Sequence, residues 1–136
     1  MKSLFFFLLS LFYVQQSVAQ KAVPPKFDRP TAVLHNQNEG MFYQPYLLKA
    51  KKIDVISGEH NTEKFTIHSY TVVALNYSDT LFTMKNIQGN AFPKEAKDAF
   101  KKIGHHGKLI FYEITAIGAD NRIIDLSPME FTITKK

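Results

Sequence analysis

A two-layer β-sandwich with a single helical connection is the fold class predicted here, and three observations predict it. Runs rich in β-branched and aromatic residues follow one another from Thr31 to Thr134. Turn-forming residues punctuate them at short intervals, and only one segment has apolar residues at helical spacing. The expectation is therefore an all-β domain with one short helix.

The elements follow in chain order. "KAVPPKFDRP" carries three prolines and no periodicity, so residues 20–30 read as an extended lead-in. The strand candidates are "TAVLH", "MFYQPYLL", "KIDVI", "EKFTIHSYTVVALNY", "TLFTM", "KLIFYEITAI", "RIIDL" and "MEFTIT". Pro45 inside "MFYQPYLL" predicts an edge strand, because proline cannot donate to a central ladder. In the long run, Phe65 and Ile67 have odd parity while Tyr70 and Val72 have even parity. A regular strand cannot place both pairs on one face, which predicts a bulge or bend near Ser69. "KLIFYEITAI" is apolar at both parities and reads as a central strand covered on both sides, with Ile110, Tyr112 and Ile114 in the core. Asp120 and Asn121 mark a turn. In the last run Met129, Phe131 and Ile133 face one way and Glu130, Thr132 and Thr134 the other, and the strand is expected to finish at or near an edge at Lys136. The helix is "FPKEAKDAFKKIG": Phe92, Ala96, Ala99, Phe100 and Ile103 share one face, leaving Lys94, Lys97 and Asp98 outside. Pro93 suits its first turn, Lys101 and Lys102 its negative end, and Gly104 its stop.

Residues 1–19 read as a secretory signal peptide: Lys2, then an apolar run from Leu4 to Val14, then Ser17 and Ala19 at the small-residue positions. The run is short of the roughly 20 apolar residues that a spanning helix needs. Cleavage is expected after Ala19, leaving one domain over residues 31–136. The chain has no cysteine, so an exported product is stabilised by its core alone and carries no lipid on an N-terminal cysteine. Without Lys2 the 17 basic residues fall to 16, against 12 acidic ones. That excess is mild, and with no nucleic-acid motif it reads as solubility or affinity for an acidic partner.

Candidate chemistry is sparse. His105 and His106 sit in "GHHG", but adjacent histidines project apart, and a metal site needs three or four convergent ligands. They read as solvated loop residues, with His35, His60 and His68 scattered elsewhere. Glu113 lies inside an apolar strand, where it either faces solvent or a cross-strand lysine, or has a perturbed pKa. Neither a nucleophile-elbow pattern nor a Gly-rich phosphate loop occurs. No catalytic residue, cofactor or metal is assigned. Asn76 to Ser78 fit the N-glycosylation pattern, and Asp79 to Leu81 resemble the Asp-Thr-aliphatic motif for O-glycosylation of secreted proteins in Bacteroidetes, making Thr80 the acceptor candidate.

Taken together, "RPTAVLHNQNEG", "EKFTIHSYTV", "FPKEAKDAFKKI" and "GKLIFYEITAIGADNRIIDLSPMEFTI" resemble, in order, the C-terminal periplasmic domain of the GldM family of gliding-motility and type IX secretion proteins. The resemblance runs from about Phe27 to Lys136. It implies an immunoglobulin-like antiparallel β-sandwich used for protein contacts in the envelope. Family motor proteins are anchored in the inner membrane and carry several periplasmic domains, whereas here a cleavable signal precedes one domain. The family's Gly-Pro-Asp-Gly turn appears as Gly118, Ala119, Asp120 and Asn121. Torque transmission is therefore not carried over.

The leading expectation is a secreted, non-enzymatic interaction module that meets an envelope protein through Phe42, Tyr43 and Tyr46. A sandwich that carries a small apolar ligand is the alternative, and a small hydrolase using His68, His105 or Glu113 ranks third. A secreted cargo would add a sorting domain for which this chain has no room, so the expected compartment is the periplasm.

Overall fold

The computed structural model describes residues 27–58 and 63–135. The signal segment, its cleavage after Ala19, most of the lead-in, His60 and Lys136 lie outside them. The elements are β1 (Thr31–Val33), β2 (Glu39–Tyr43), α1 (Gln44–Lys49), β3 (Asp54–Ile56), β4 (Phe65–Asn76), β5 (Asp79–Gln88), α2 (Lys94–Lys101), β6 (Lys108–Gly118), β7 (Ile123–Leu126) and β8 (Met129–Thr134). The described residues are mostly β-strand with few helices.

Two sheets form. β1 pairs antiparallel with β3, while β2, β8, β6, β4 and β5 lie in that order in a six-stranded sheet, with β7 on the far half of β6. Two sequence expectations are corrected. Among the described residues there are two helices, because "MFYQPYLL" leaves strand geometry at Tyr43 and becomes α1, where Pro45 occupies the first turn that its fixed φ suits. The pairing is also not purely antiparallel, since β2 runs parallel to β8. That parallel pair places β8 between the edge strand β2 and β6, one strand in from the edge of the sheet.

The large sheet has one dry face. Phe65, Ile67, Tyr70, Val72 and Ala74 of β4, Leu109, Phe111, Ile114 and Ala116 of β6, and Met129, Phe131 and Ile133 of β8 are all buried. Covering them are both helices and the β1/β3 pair, which add Ala32, Leu34, Ile53, Leu47, Ala96 and Phe100 to the same core. Rings knit the layers: Phe111 stacks on Phe92 at 5.9 Å, and Phe92 meets Phe100 edge-on at 5.2 Å. Each such contact adds about 1 kcal/mol beyond burial and fixes α2 over the sheet.

The parity change in β4 is a register shift around Ser69, where Ile67 pairs with Ala116 but Ser69 with Thr115. β6 carries a matching shift, with Glu113 at φ 51°, so Leu109 and Phe111 share the core with Ile114 and Ala116. Ile110 and Tyr112 therefore lie on the other face, where they are half-buried, and the expectation that they fill the core is corrected. β6 is central, as its composition predicts, yet dry on one side only. Its outer side carries the exposed Lys108–Glu130 ion pair at 3.0 Å.

Candidate partner surface

Three elements converge at one corner. Leu34 and Gln37 exchange backbone hydrogen bonds of 2.7 and 3.0 Å around His35 (φ 49°) and Asn36 (φ 65°), a tight hairpin turn with both central residues left-handed. Asparagine tolerates that backbone better than most residues, and the turn holds His35 flat against Tyr46, with ring centroids 5.6 Å apart and planes 12° from parallel. Tyr46 in turn meets Tyr43 edge-on at 5.6 Å.

Tyr43 is 40% exposed and Tyr46 52% exposed. Phe42 is only 2% exposed: side chains alternate along β2, and its ring turns inward to pack edge-on against Phe131 at 5.4 Å. Phe42 is thus a core anchor, which corrects its place among the surface candidates. Its neighbour by alternation on the outward side is Met41, 63% exposed, and Leu48 on α1 is 45% exposed. His35 and Met41 are the members that sequence reasoning missed. The signal for His35 was the His-Asn pair between two apolar runs, which reads as a turn only once the strands on either side are recognised.

The corner is held from beneath by Gln44. Its buried side-chain amide donates to the carbonyls of Phe100 and Ile103, both at 3.2 Å. Carbonyls at a helix C-terminus lack partners within the helix, and Gln44 supplies one from α1. Asn76 closes the same end of α2 from β4, donating to the Lys102 carbonyl at 3.3 Å and accepting from the Gly104 N–H at 2.7 Å. The Asn76 amide in the N-glycosylation pattern is therefore engaged in structure. Thr80 lies exposed at the start of β5, just past the hairpin tip at Tyr77 and Ser78.

Between the helices runs a groove of about 300 Å³ lined by Leu47, Leu48, Phe100, Lys94, Lys97 and Lys101, with Asp98 at its side. Its base is apolar and its rim cationic.

The remaining candidates do not assemble a reactive centre. His105 and His106 are exposed with ring centroids 3.9 Å apart, and the His105 Nδ1 accepts from the Lys135 N–H at 3.1 Å. Among the described residues no group of three or more His, Cys, Asp or Glu side chains is placed to hold a metal ion. His68 sits in the β4 bulge opposite Thr115, whereas His105 lies beyond Lys108 at the other end of β6. At about 3.3 Å per residue that separation is roughly 23 Å, so His68 and His105 do not meet. Glu113 is exposed and accepts only a long hydrogen bond, 3.5 Å, from the Thr71 hydroxyl.

No described helix is long and apolar enough to cross a membrane. No protein-family model matches this chain, and no curated protein matches it.

Proposed function

We propose that this chain is a non-enzymatic protein-interaction module, exported by its N-terminal signal segment and acting in the periplasm on an envelope partner. The observation that carries the reading is the corner of His35, Tyr43 and Tyr46, flanked by Met41 and Leu48, with large side chains left in solvent on rigid elements. Exposed aromatic residues held by a packed scaffold lose little conformational entropy on binding and supply much of the energy of protein interfaces. The immunoglobulin-like sandwich and the link to type IX secretion or gliding belong to the same proposal. They rest on the resemblance to the GldM C-terminal domain, with the shared core of the two sheets as support and the parallel β2–β8 pair as a departure from a purely antiparallel form.

The test is chemical crosslinking of the tagged mature protein in cells, followed by identification of the adducts. The expected result is recovery of envelope proteins by the wild type and loss of those adducts in Tyr43→Ala/Tyr46→Ala, with the variant still folded. Adducts unchanged by the double substitution would remove the tyrosines from the surface.

A small-ligand carrier is the second reading, favoured by the groove between α1 and α2. Native mass spectrometry of protein from its own cells separates the two, since a carrier retains a discrete ligand mass. The exposed position of Thr80 supports its role as an O-glycan acceptor. The expected outcome is a glycan mass on the wild type that is absent from Thr80→Ala.

A further inference from the structure

We infer that the groove between α1 and α2 docks an acidic segment of the partner protein, one that carries at least one large apolar side chain. The inference rests on the interaction-module reading and names the chemistry of the partner. Lys94, Lys97 and Lys101 stand at i, i+3 and i+7 on α2, one face of a helix, and span about 10 Å along the groove. Among the described residues Lys94 and Lys97 have no acidic partner, and Lys101 has only the long 3.9 Å approach of Asp98, with both side chains exposed.

The wall opposite is Leu48, an exposed leucine on the same short helix as Tyr46, and Leu47 and Phe100 close the base. Lys49, Lys51 and Lys102 stand exposed on or just after the two helices and extend the cationic field beyond the rim. Cations distributed along an open groove match several carboxylates in succession; a single small anion would satisfy one of them. The apolar base between them selects for an anchor such as leucine or phenylalanine. Acidic charge in the partner would also speed encounter with this side of the molecule.

The probe is a phage-displayed library of random dodecapeptides, selected on the immobilised mature protein. Enriched sequences are expected to be acidic with an apolar anchor. As synthetic peptides they should bind about tenfold or more weakly to Lys94→Glu/Lys97→Glu/Lys101→Glu, and progressively more weakly as salt is raised. The neutral variant Lys94→Gln/Lys97→Gln/Lys101→Gln should fall between, and circular dichroism checks that both remain folded. Absence of enrichment, enrichment without acidic bias, or peptides indifferent to the charge reversal would each overturn the inference. So would displacement of the peptides by dodecanoate at low concentration, which would assign the groove to a small ligand. Failure here with Tyr43- and Tyr46-dependent adducts still recovered in cells removes the groove and leaves the module. Loss of those adducts as well removes both.

Discussion

Two side-chain amides, Gln44 and Asn76, decide how α2 ends and therefore where the proposed partner surface sits. Each satisfies helix-terminal backbone groups from a different element, and Gln44 does so while buried. Gln44→Ala strands the Ile103 carbonyl, leaves that of Phe100 with only a long 3.4 Å bond from the Ile103 N–H, and is expected to cost about 2 kcal/mol in urea unfolding, with Asn76→Ala costing about 1 kcal/mol. Either loss should also loosen α1 against α2 and lower binding at Tyr46, which is measurable on the peptides or partner recovered. Tyr70 is a second kind of buried polar group. Its hydroxyl donates to the Ala91 carbonyl at 2.8 Å, and burial pushes its phenol well above the ordinary range. The folded state thus favours the protonated phenol, so this contribution is complete below about pH 10 and is lost as pH climbs through the raised value. Tyr70→Phe is expected to cost about 1 kcal/mol at neutral pH and to flatten the alkaline fall of the denaturation midpoint. An alkaline fall equal to that of the wild type would contradict this account. None of these roles was legible in the sequence, because a glutamine in "FYQPY" or an asparagine before a turn acquires its partner only from residues far along the chain.

At the scale of elements, legibility follows how local the governing interaction is. α2 and β8 were readable because their periodicities lie within each segment and one face of each is dry. The β4 bulge was readable from a parity change, whereas its counterpart at Glu113 was hidden because β6 is apolar at both parities. α1 escaped because six residues hold too little periodicity, and its aromatic neighbours imitate a strand. The parallel pairing of β2 with β8 has no local signature at all. Glu113 gives this level its prediction. At φ 51° a non-glycine residue is strained, and β-branching worsens it. Glu113→Gly should stay within about 1 kcal/mol of the wild type or gain slightly, while Glu113→Val should lose about 2 kcal/mol. A β5 edge that recruited other strands would be a hazard, but register shifts flank its centre and Lys85 stands exposed within it.

For the whole molecule, the sheet separates two environments. One face is buried beneath both helices and the β1/β3 pair, and the helical side carries Lys49, Lys51, Lys94, Lys97, Lys101 and Lys102 exposed on or beside α1 and α2. The aromatic corner adjoins this basic side, so a partner that covers Tyr46 can also reach the lysines. The acidic-partner reading of the mild basic excess was available from composition, but its concentration on one side of the molecule was not. The measurement that tests the central claim most directly is site-specific photocrosslinking in cells, with a photoreactive residue replacing Tyr46 in one strain and Ile123, equally exposed on β7, in another. The account predicts a discrete adduct with an envelope protein from position 46 and none from position 123. No adduct from position 46, or the same adduct from both, would contradict it.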